Sequence, residues 1–418
     1  MNSQPRPLRN VLFIMADQLR WDYLACSGHP TIRTPYIDAL AARGVRFTNA
    51  FVQGPVCGAS RMSTYTGRYV TSHGSAWNFV PLSVSQKTLG DHLRPLGVRC
   101  AVVGKTHVEA DMEGAARLGI DTESDAGRLA MHGGFEPYER DDGIWPPGFK
   151  VEGNRYCDYL RRQGYGGDNP WHDYANSSLG ADGALHSGWN LRWAREPARV
   201  AEEHSETPYM TRRAMDFITE QGDKPWVLHL SYIKPHWPYV APDPYHAMYG
   251  ARDVLPAQRT PQEKADPHPV YRGFMNYTPS TTVSRDEVRE PVVPPYMGLL
   301  SQIDAQDPEV AASVRNLMFT FSDIVKLSDR ELQSLLREVD QKDLVVALKG
   351  ASEELKVKIL TNMSEEVRTF ITQEMEFLGP MRLSEVEEVQ LRIVQQLRQL
   401  EEQGQITVVR GNAEDIFV

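Results

Sequence analysis

The sequence predicts an α/β domain followed by a separate all-α domain, and three observations make that division. All eight Trp and all four Cys precede residue 240. Of 28 Pro, only Pro308 and Pro380 fall at or beyond residue 308. From residue 308 onward there are 13 Lys+Arg against 20 Asp+Glu, so this stretch carries −7 of the total charge of −10. The first part is rich in Pro, Gly and aromatics, as loop-heavy α/β enzymes are. The second is charged, leucine-rich and short of chain breakers, as helical bundles are.

The same totals exclude some functions. A net charge of −10 with a pI of about 5.7 does not suit a nucleic-acid binder, whose footprint is basic. No apolar run reaches the roughly 18 residues a spanning helix needs. Met1 to Leu12 contains no cleavable apolar segment, and the four cysteines, Cys26, Cys57, Cys100 and Cys157, show neither metal-type spacing nor a disulfide framework. A cytoplasmic chain is the expectation. At 418 residues there is room for two or three domains.

In chain order, Asn10 to Met15 is a continuous apolar run that stops at Asp17, as a buried parallel strand does. Thr34 and Pro35 open a helix through Arg43, and Gly44 is placed to end it. Val45 to Phe51 reads as the next strand. Val98 to Val103 is a second apolar run, ending at Lys105, Thr106 and His107. Trp226 to Ile233 is a third, ending at Lys234, Pro235 and His236. Each strand alone has an ordinary account. Together they hand ionisable side chains to the carboxyl edge of a sheet, where open α/β folds bind ligands. Cys57-Gly-Ala-Ser-Arg61 follows a Gly-Pro turn and leads into a helix over Met62 to Tyr69. A thiol at a helix start, beside an Arg, is in surroundings that favour negative charge, although a lone Cys is more often a small buried hydrophobe.

Four strings carry a resemblance. They are Asn10 to Asp22; Cys57 to Arg61 followed by Thr66-Gly-Arg-Tyr69 and His73-Gly74; Gly104-Lys-Thr-His107; and Lys234-Pro-His-Trp-Pro-Tyr239. In this order they resemble the sulfatases, most closely the phosphonate monoester hydrolase branch of the alkaline-phosphatase-like superfamily, over residues 8 to about 306. The resemblance implies an alkaline-phosphatase-like mixed sheet over residues 8–300, incomplete at its carboxyl side. It implies that Cys57 becomes formylglycine, whose hydrate attacks sulfur or phosphorus and whose second hydroxyl expels the product. Asp17, Gln18 and Cys57 match ligands of a divalent metal of the Mn, Ca or Zn class that polarises the ester oxygens. Arg61 matches the residue that steadies the nucleophile, and Asn78, Thr106 and His107 match those that hold the anionic group. His236 matches the acid toward the leaving oxygen.

Two departures stand out. Ala59 occupies a position where sulfatases usually have Pro. Family members also continue past a segment like Val293 to Gly298 into a strand ending in Asp-His-Gly, which brings two more metal ligands and then a lysine. No Asp-His-Gly follows residue 300 here. The expectation is a recognisable but inactive site with a weakly held metal; the alternative is a metal-dependent hydrolase of sulfuric or phosphonic esters.

Beyond residue 308 the helix punctuation is legible. Ser328 with Glu331 and Ser384 with Glu387 spell capping boxes. Gly379 with Pro380, and then Gly404, mark helix ends. Apolar residues recur at helical spacing through Leu332, Leu335, Leu336 and Val339; Leu344, Val345 and Leu348; Leu355, Ile359 and Leu360; and Val386, Val389, Ile393, Leu397 and Leu400. Several short helices with one buried stripe each are expected. No Cys or His occurs in this stretch, so no catalysis is expected there.

Met318-Phe-Thr-Phe321, Leu335 to Asp340, Ala347 to Ala351, Asn362-Met-Ser364 and Gly379 to Val386 resemble the C-terminal domain of the bacterial flagellar motor switch protein. The resemblance implies that residues 308–321 are the end of an armadillo-like helix plus a hinge of Met318, Phe319, Thr320 and Phe321. It implies that residues 322–418 are the helical domain that takes torque from the stator and works beside the other switch-complex proteins, at the cytoplasmic face of the inner membrane. Lys349, Glu374 and Arg382 match the charged ridge that meets the stator. Glu366 stands where some members have Arg, and Gln373 where an acid is found. Without the resemblance such charges read as a solvated face, and Met318 to Phe321 as core. The seam falls between Met297 and Pro308, where Leu300 to Gln306 reads in either family and no Gly, Ser or Pro linker intervenes.

Overall fold

The computed structural model describes residues 10–222, 224–318, 321–379, 381, 383–403 and 405–406, without the side chains of 307–318 and of several positions in 322–402. The chain divides into two compact units, Met1–Ala311 and Ala312–Val418.

The first unit is built on four parallel strands: β1 (Asn10–Ala16), β2 (Arg99–Gly104), β3 (Glu136–Arg140) and β4 (Trp226–Tyr232). Their order in the sheet is β1-β4-β2-β3. β4 is buried at every position, as the unbroken apolar run of a sheet covered on both faces requires. A separate antiparallel ribbon pairs Ser177–Leu179 with Leu185–Ser187. All three strands expected from apolar runs are present within a residue or two. β3 is an addition, because Glu136–Arg140 lacks the apolar run that marks the other three.

Local chemistry sets the strand ends. Gly104 closes β2 at φ +95°, and a Cβ there would lie 2.0 Å from Ser231 O. Only glycine fits this close approach, which lets Lys105 N donate to Ser231 O at 3.0 Å and starts the loop that enters the site.

Three helices of this unit are α1 (Pro35–Arg43), α2 (Cys57–Thr66), which opens at the site, and α3 (Glu206–Gln221). The Thr34 side chain does not cap α1. Asp304 does so instead, accepting from Ile37 N at 2.8 Å and Tyr36 N at 3.4 Å. The strand expected over Val45 to Phe51 does not form: the segment is irregular, and Val45, Phe47 and Phe51 are 79–85% exposed. Period-two apolar spacing makes a strand only when a neighbour accepts its backbone groups, and none does so among the described residues.

Long helix α4 spans Asp286–Met318. In the second unit a 3₁₀ turn at Phe321–Lys326 precedes α5 (Asp329–Glu338), α6 (Gln341–Lys349), α7 (Glu353–Thr361), α8 (Glu365–Phe377) and α9 (Leu383–Glu402). Leu332, Leu335, Leu344, Leu348, Leu355, Ile359, Ile393 and Leu397 share one core. The Ser328–Glu331 capping box is formed, with Glu331 Oε2 accepting from Ser328 N at 2.9 Å. The Ser384–Glu387 box and Gly404 lie outside the described side chains and residues.

Candidate active site

The sheet delivers its charged residues where the sequence places them. Cys57 is the first residue of α2, and its S–H donates to Asp17 Oδ1 at 3.4 Å, just past the end of β1. Asn78 Oδ1 accepts from Gly58 N at 2.8 Å, so Asn78 closes the same helix end. One turn on, Arg61 is buried and donates to Lys105 O at 2.7 Å and Ser231 Oγ at 2.8 Å. Its other terminal nitrogen stands 3.5 Å from Asp17 Oδ2. Lys105 Nζ is closer still to that oxygen, at 2.5 Å.

These contacts settle the charges. Burial disfavours the Asp17 carboxylate, but Lys105 and Arg61 outweigh it and hold its pKa at about 2. Burial and then the Asp17 charge push the Cys57 thiol up, against the opposing charges of Lys105 and Arg61.

Past β2, Asp142 Oδ1 accepts from Thr106 N at 2.6 Å and His107 N at 2.9 Å. Arg140 in turn holds Asp142 Oδ2 at 2.5 Å. This clamp keeps His107 at φ +54°, an uncommon conformation for a residue with a Cβ. Thr106 is buried with its hydroxyl against the same carboxylate, whereas His107 has a buried Nδ1 with no partner among the described residues. Burial and then Lys105 lower the His107 pKa to about 4, so the ring is neutral. Phe79 meets its edge at a centroid distance of 6.1 Å, and Trp77 and Phe79 are both exposed beside Asn78.

Past β4, His236 Nδ1 lies 2.5 Å from Trp237 O. Burial and then Lys105 lower the His236 pKa, leaving a neutral imidazole. Gln18 sits at φ +59°, and its side-chain oxygen accepts from Trp237 N at 3.2 Å and Tyr239 OH at 3.3 Å. It is turned to the His236 turn. Asp17, Cys57 and His236 each offer a donor atom, all within 4.8 Å of one another. Carboxylate, sulfur and imidazole are a donor set suited to a divalent cation of the zinc class.

Sequence reasoning placed Lys105 at the strand end but gave it no role, and it passed over Asp142. The role of Lys105 could have been found from its position between Gly104 and Thr106 at a strand end. Asp142 carries no such signal, because it lies beyond the polar strand β3.

In the second unit Lys349 ends α6, and its ammonium donates to Leu378 O and to Met375 O, closing the carbonyl end of α8. Glu374 and Gln373 on α8, and Glu366 in its first turn, are exposed. Arg382 lies outside the described residues, as do Phe319 and Thr320 of the expected hinge. Met318 ends α4, and Phe321 is buried in the helical core.

At one edge of the parallel sheet of this α/β unit stand a sulfur, a carboxylate beside two buried cations, and two imidazoles. The sulfatase family model matches residues 9–344, most of the chain, and the chain belongs to that family. Among its relatives is the multifunctional alkaline phosphatase superfamily protein PehA of Trinickia caryophylli, 29% identical over 318 residues, 71% of this chain and 57% of PehA. The solved phosphonate monoester hydrolase SpPMH from Silicibacter pomeroyi superposes with a TM-score of 0.60 at 26% identity, over 74% of this chain and 60% of that one. The FliG C-terminal domain model matches residues 301–408. That region is 46% identical over 120 residues to the flagellar motor switch protein FliG of Thermotoga maritima, 29% of this chain and 36% of FliG. A sulfatase-like α/β part and a helical FliG C-terminal region therefore share one chain, which spans less than two thirds of each of these relatives. Among the described residues no helix is long and apolar enough to cross a membrane.

Proposed function

We propose that the protein works as a motor-switch module: its helical unit takes torque from the flagellar stator and takes part in rotation switching, while the sulfatase-like unit is inactive. The observation that supports it is the FliG match over a helical unit that has its own core from Phe321 to Ile406. Steering between charged faces works through exposed groups, and Glu374 on α8 is one. Lys349 also serves the fold, through α8, and Arg382 joins the reading only through the family resemblance. Stator and switch-complex proteins are the partners, at the cytoplasmic face of the inner membrane. The test is expression of the full chain in a swimming bacterium beside its resident switch protein. Competition for the stator lowers swimming speed, and Glu374→Lys relieves it. Unchanged motility at matched expression counts against this reading.

A second reading, hydrolysis of a sulfuric or phosphonic ester, is favoured by one arrangement: Cys57 at the start of α2, facing Asp17, Arg61 and Lys105. A divalent metal there would polarise the ester oxygens, with Asp17, Gln18 and residue 57 holding it. Arg61, Asn78, Thr106 and His107 would hold the anionic group and His236 would serve the leaving oxygen. An aldehyde at position 57 by mass spectrometry, with turnover of an aryl ester in added manganese or zinc, supports this reading. A thiol and no turnover remove it.

A further inference from the structure

Two helices of the first unit carry matching stripes of side chains. Arg155, Asp158, Tyr159 and Arg162 share one face of the helix Arg155–Arg162, at intervals of three and four residues. Tyr209, Arg212, Arg213 and Asp216 share one face of α3 at the same intervals. The stripes meet, with the Tyr159 and Tyr209 rings 4.7 Å apart, and between them lies a cleft of about 680 Å³. We propose that this cleft binds a small organic molecule bearing a phosphoryl dianion, either a phosphate monoester or a phosphonate, held by Arg162 and Arg212. The cleft shares no lining residue with the site at the carboxyl edge of the sheet, so neither functional reading above bears on it.

Charge matching inside the cleft leaves those two arginines over. Arg155 and Arg213 both reach Glu139 Oε2 on β3, at 3.3 and 3.2 Å, and Arg213 also holds Asp216 at 2.6 Å. Glu139 is 1% exposed, so a buried carboxylate fixes both guanidiniums from beneath. Asp158 is taken by Arg161 at 2.8 Å. Among the described residues, Arg162 and Arg212 have no carboxylate within ion-pair reach. Arg212 is nevertheless held in place. It donates to Tyr159 OH at 3.0 Å and to Glu203 O at 2.8 Å, and its guanidinium carbon lies 5.7 Å from the centre of the Tyr159 ring. A side chain ordered beforehand loses less freedom when a ligand arrives. Two uncompensated guanidiniums match a phosphoryl group, which carries close to two negative charges, better than a sulfate ester, which carries one. Each guanidinium can give such a group two parallel hydrogen bonds. Tyr159, Tyr209 and Met215 supply apolar wall for an organic body, and the volume lies in the range of small-molecule sites. Arginines on a helix are ordinarily a solvated face. Here two such faces oppose each other across a hollow, over a buried acid.

The test follows modification of Arg162 and Arg212 by phenylglyoxal on the full, unmutated chain, resolved by peptide mass spectrometry, with exposed Arg117 as control. Phenylphosphonate is the probe, at a mildly alkaline pH where it is a dianion; it has no ester bond to hydrolyse. It is expected to protect both arginines and to leave Arg117 unchanged. Benzenesulfonate has the same ring with one negative charge, and inorganic phosphate has the charge without the ring. Each is expected to need a concentration at least about 10-fold higher for equal protection. Arg162→Gln raises the phenylphosphonate needed to protect Arg212 by about 10- to 100-fold, and Arg212→Gln does the same for Arg162, as loss of a charge-assisted pair requires. Failure to protect either arginine of the unmutated chain overturns the site, and that readout needs no variant to fold. Benzenesulfonate protecting as well as phenylphosphonate overturns the selection for a dianion. Inorganic phosphate protecting as well reduces the cleft to a bare ion site and overturns the organic ligand. Each of these outcomes leaves the motor and hydrolase readings where they stand.

Discussion

Lys105 Nζ lies 2.5 Å from Asp17 Oδ2, and the two side chains are 0% and 7% exposed. A pair this deep is weak evidence of stability as a pair, since both charges have been taken from water. Breaking it is another matter. Lys105→Met leaves the Asp17 charge with only the more distant Arg61, and a loss of about 3–5 kcal/mol in unfolding free energy is expected. Chemical denaturation of the first unit measures it, and a loss below about 1 kcal/mol would mean that Arg61 alone neutralises Asp17.

Asp142 holds two successive backbone N–H groups with one oxygen. Asp142→Ala leaves both without an acceptor and should cost about 1–3 kcal/mol, whereas Asp142→Asn keeps a carbonyl oxygen and costs less. The loop carrying His107 then loses its left-handed geometry. Faster amide exchange at Thr106 and His107, in Ala more than in Asn, is the expected reading. Equal exchange in the two variants would place the clamp elsewhere.

Asp141 and Glu206 are buried carboxyls on neighbouring elements, and both have raised pKa values. Burial is the main cause for each, and the Glu206 charge adds to it at Asp141. A carboxyl raised in the folded state binds its proton more tightly there than in the unfolded chain. Its stability contribution is full below the ordinary carboxylate pKa of about 4 and is lost as pH rises through the folded value. Thermal midpoints should therefore fall between about pH 5 and pH 8, and Asp141→Asn should flatten that fall. A slope unchanged by the substitution would assign the proton uptake to other groups.

In the helical unit Leu348 is fully buried near the end of α6, among Leu344, Leu355 and Ile393. Leu348→Ala is expected to cost about 2–5 kcal/mol through lost burial and the cavity left behind. Ser328→Ala, which removes the cap of α5, should cost about 1 kcal/mol. Urea unfolding followed by helical circular dichroism distinguishes them by size, and the order reverses only if the cap carries more than the core.

The sequence made strands β1, β2 and β4 legible because buried parallel strands are unbroken apolar runs. The helices beyond residue 308 were legible through their stripes and through Ser328 with Glu331. What stayed hidden depends on partners far along the chain. β3 is polar on its face and had no signal. Val45 to Phe51 has strand spacing but lacks the neighbour that turns spacing into pairing. Cys57 illustrates the same limit in electrostatics: Arg61 is close in sequence and visible, whereas the burial that raises the thiol, and the Asp17 charge 40 residues away that adds to it, are not. The roles of Lys105 and Asp142 likewise emerge only when two strand ends come together.

Asp304 closes the amino end of α1 from 267 residues further along the chain, and Ser301 Oγ donates to Arg33 O at 3.1 Å beside it. Both residues lie within the stretch that two families claim. A substitution at either position, although it lies in a stretch that both family models match, therefore reaches back to the opening helix of the first unit.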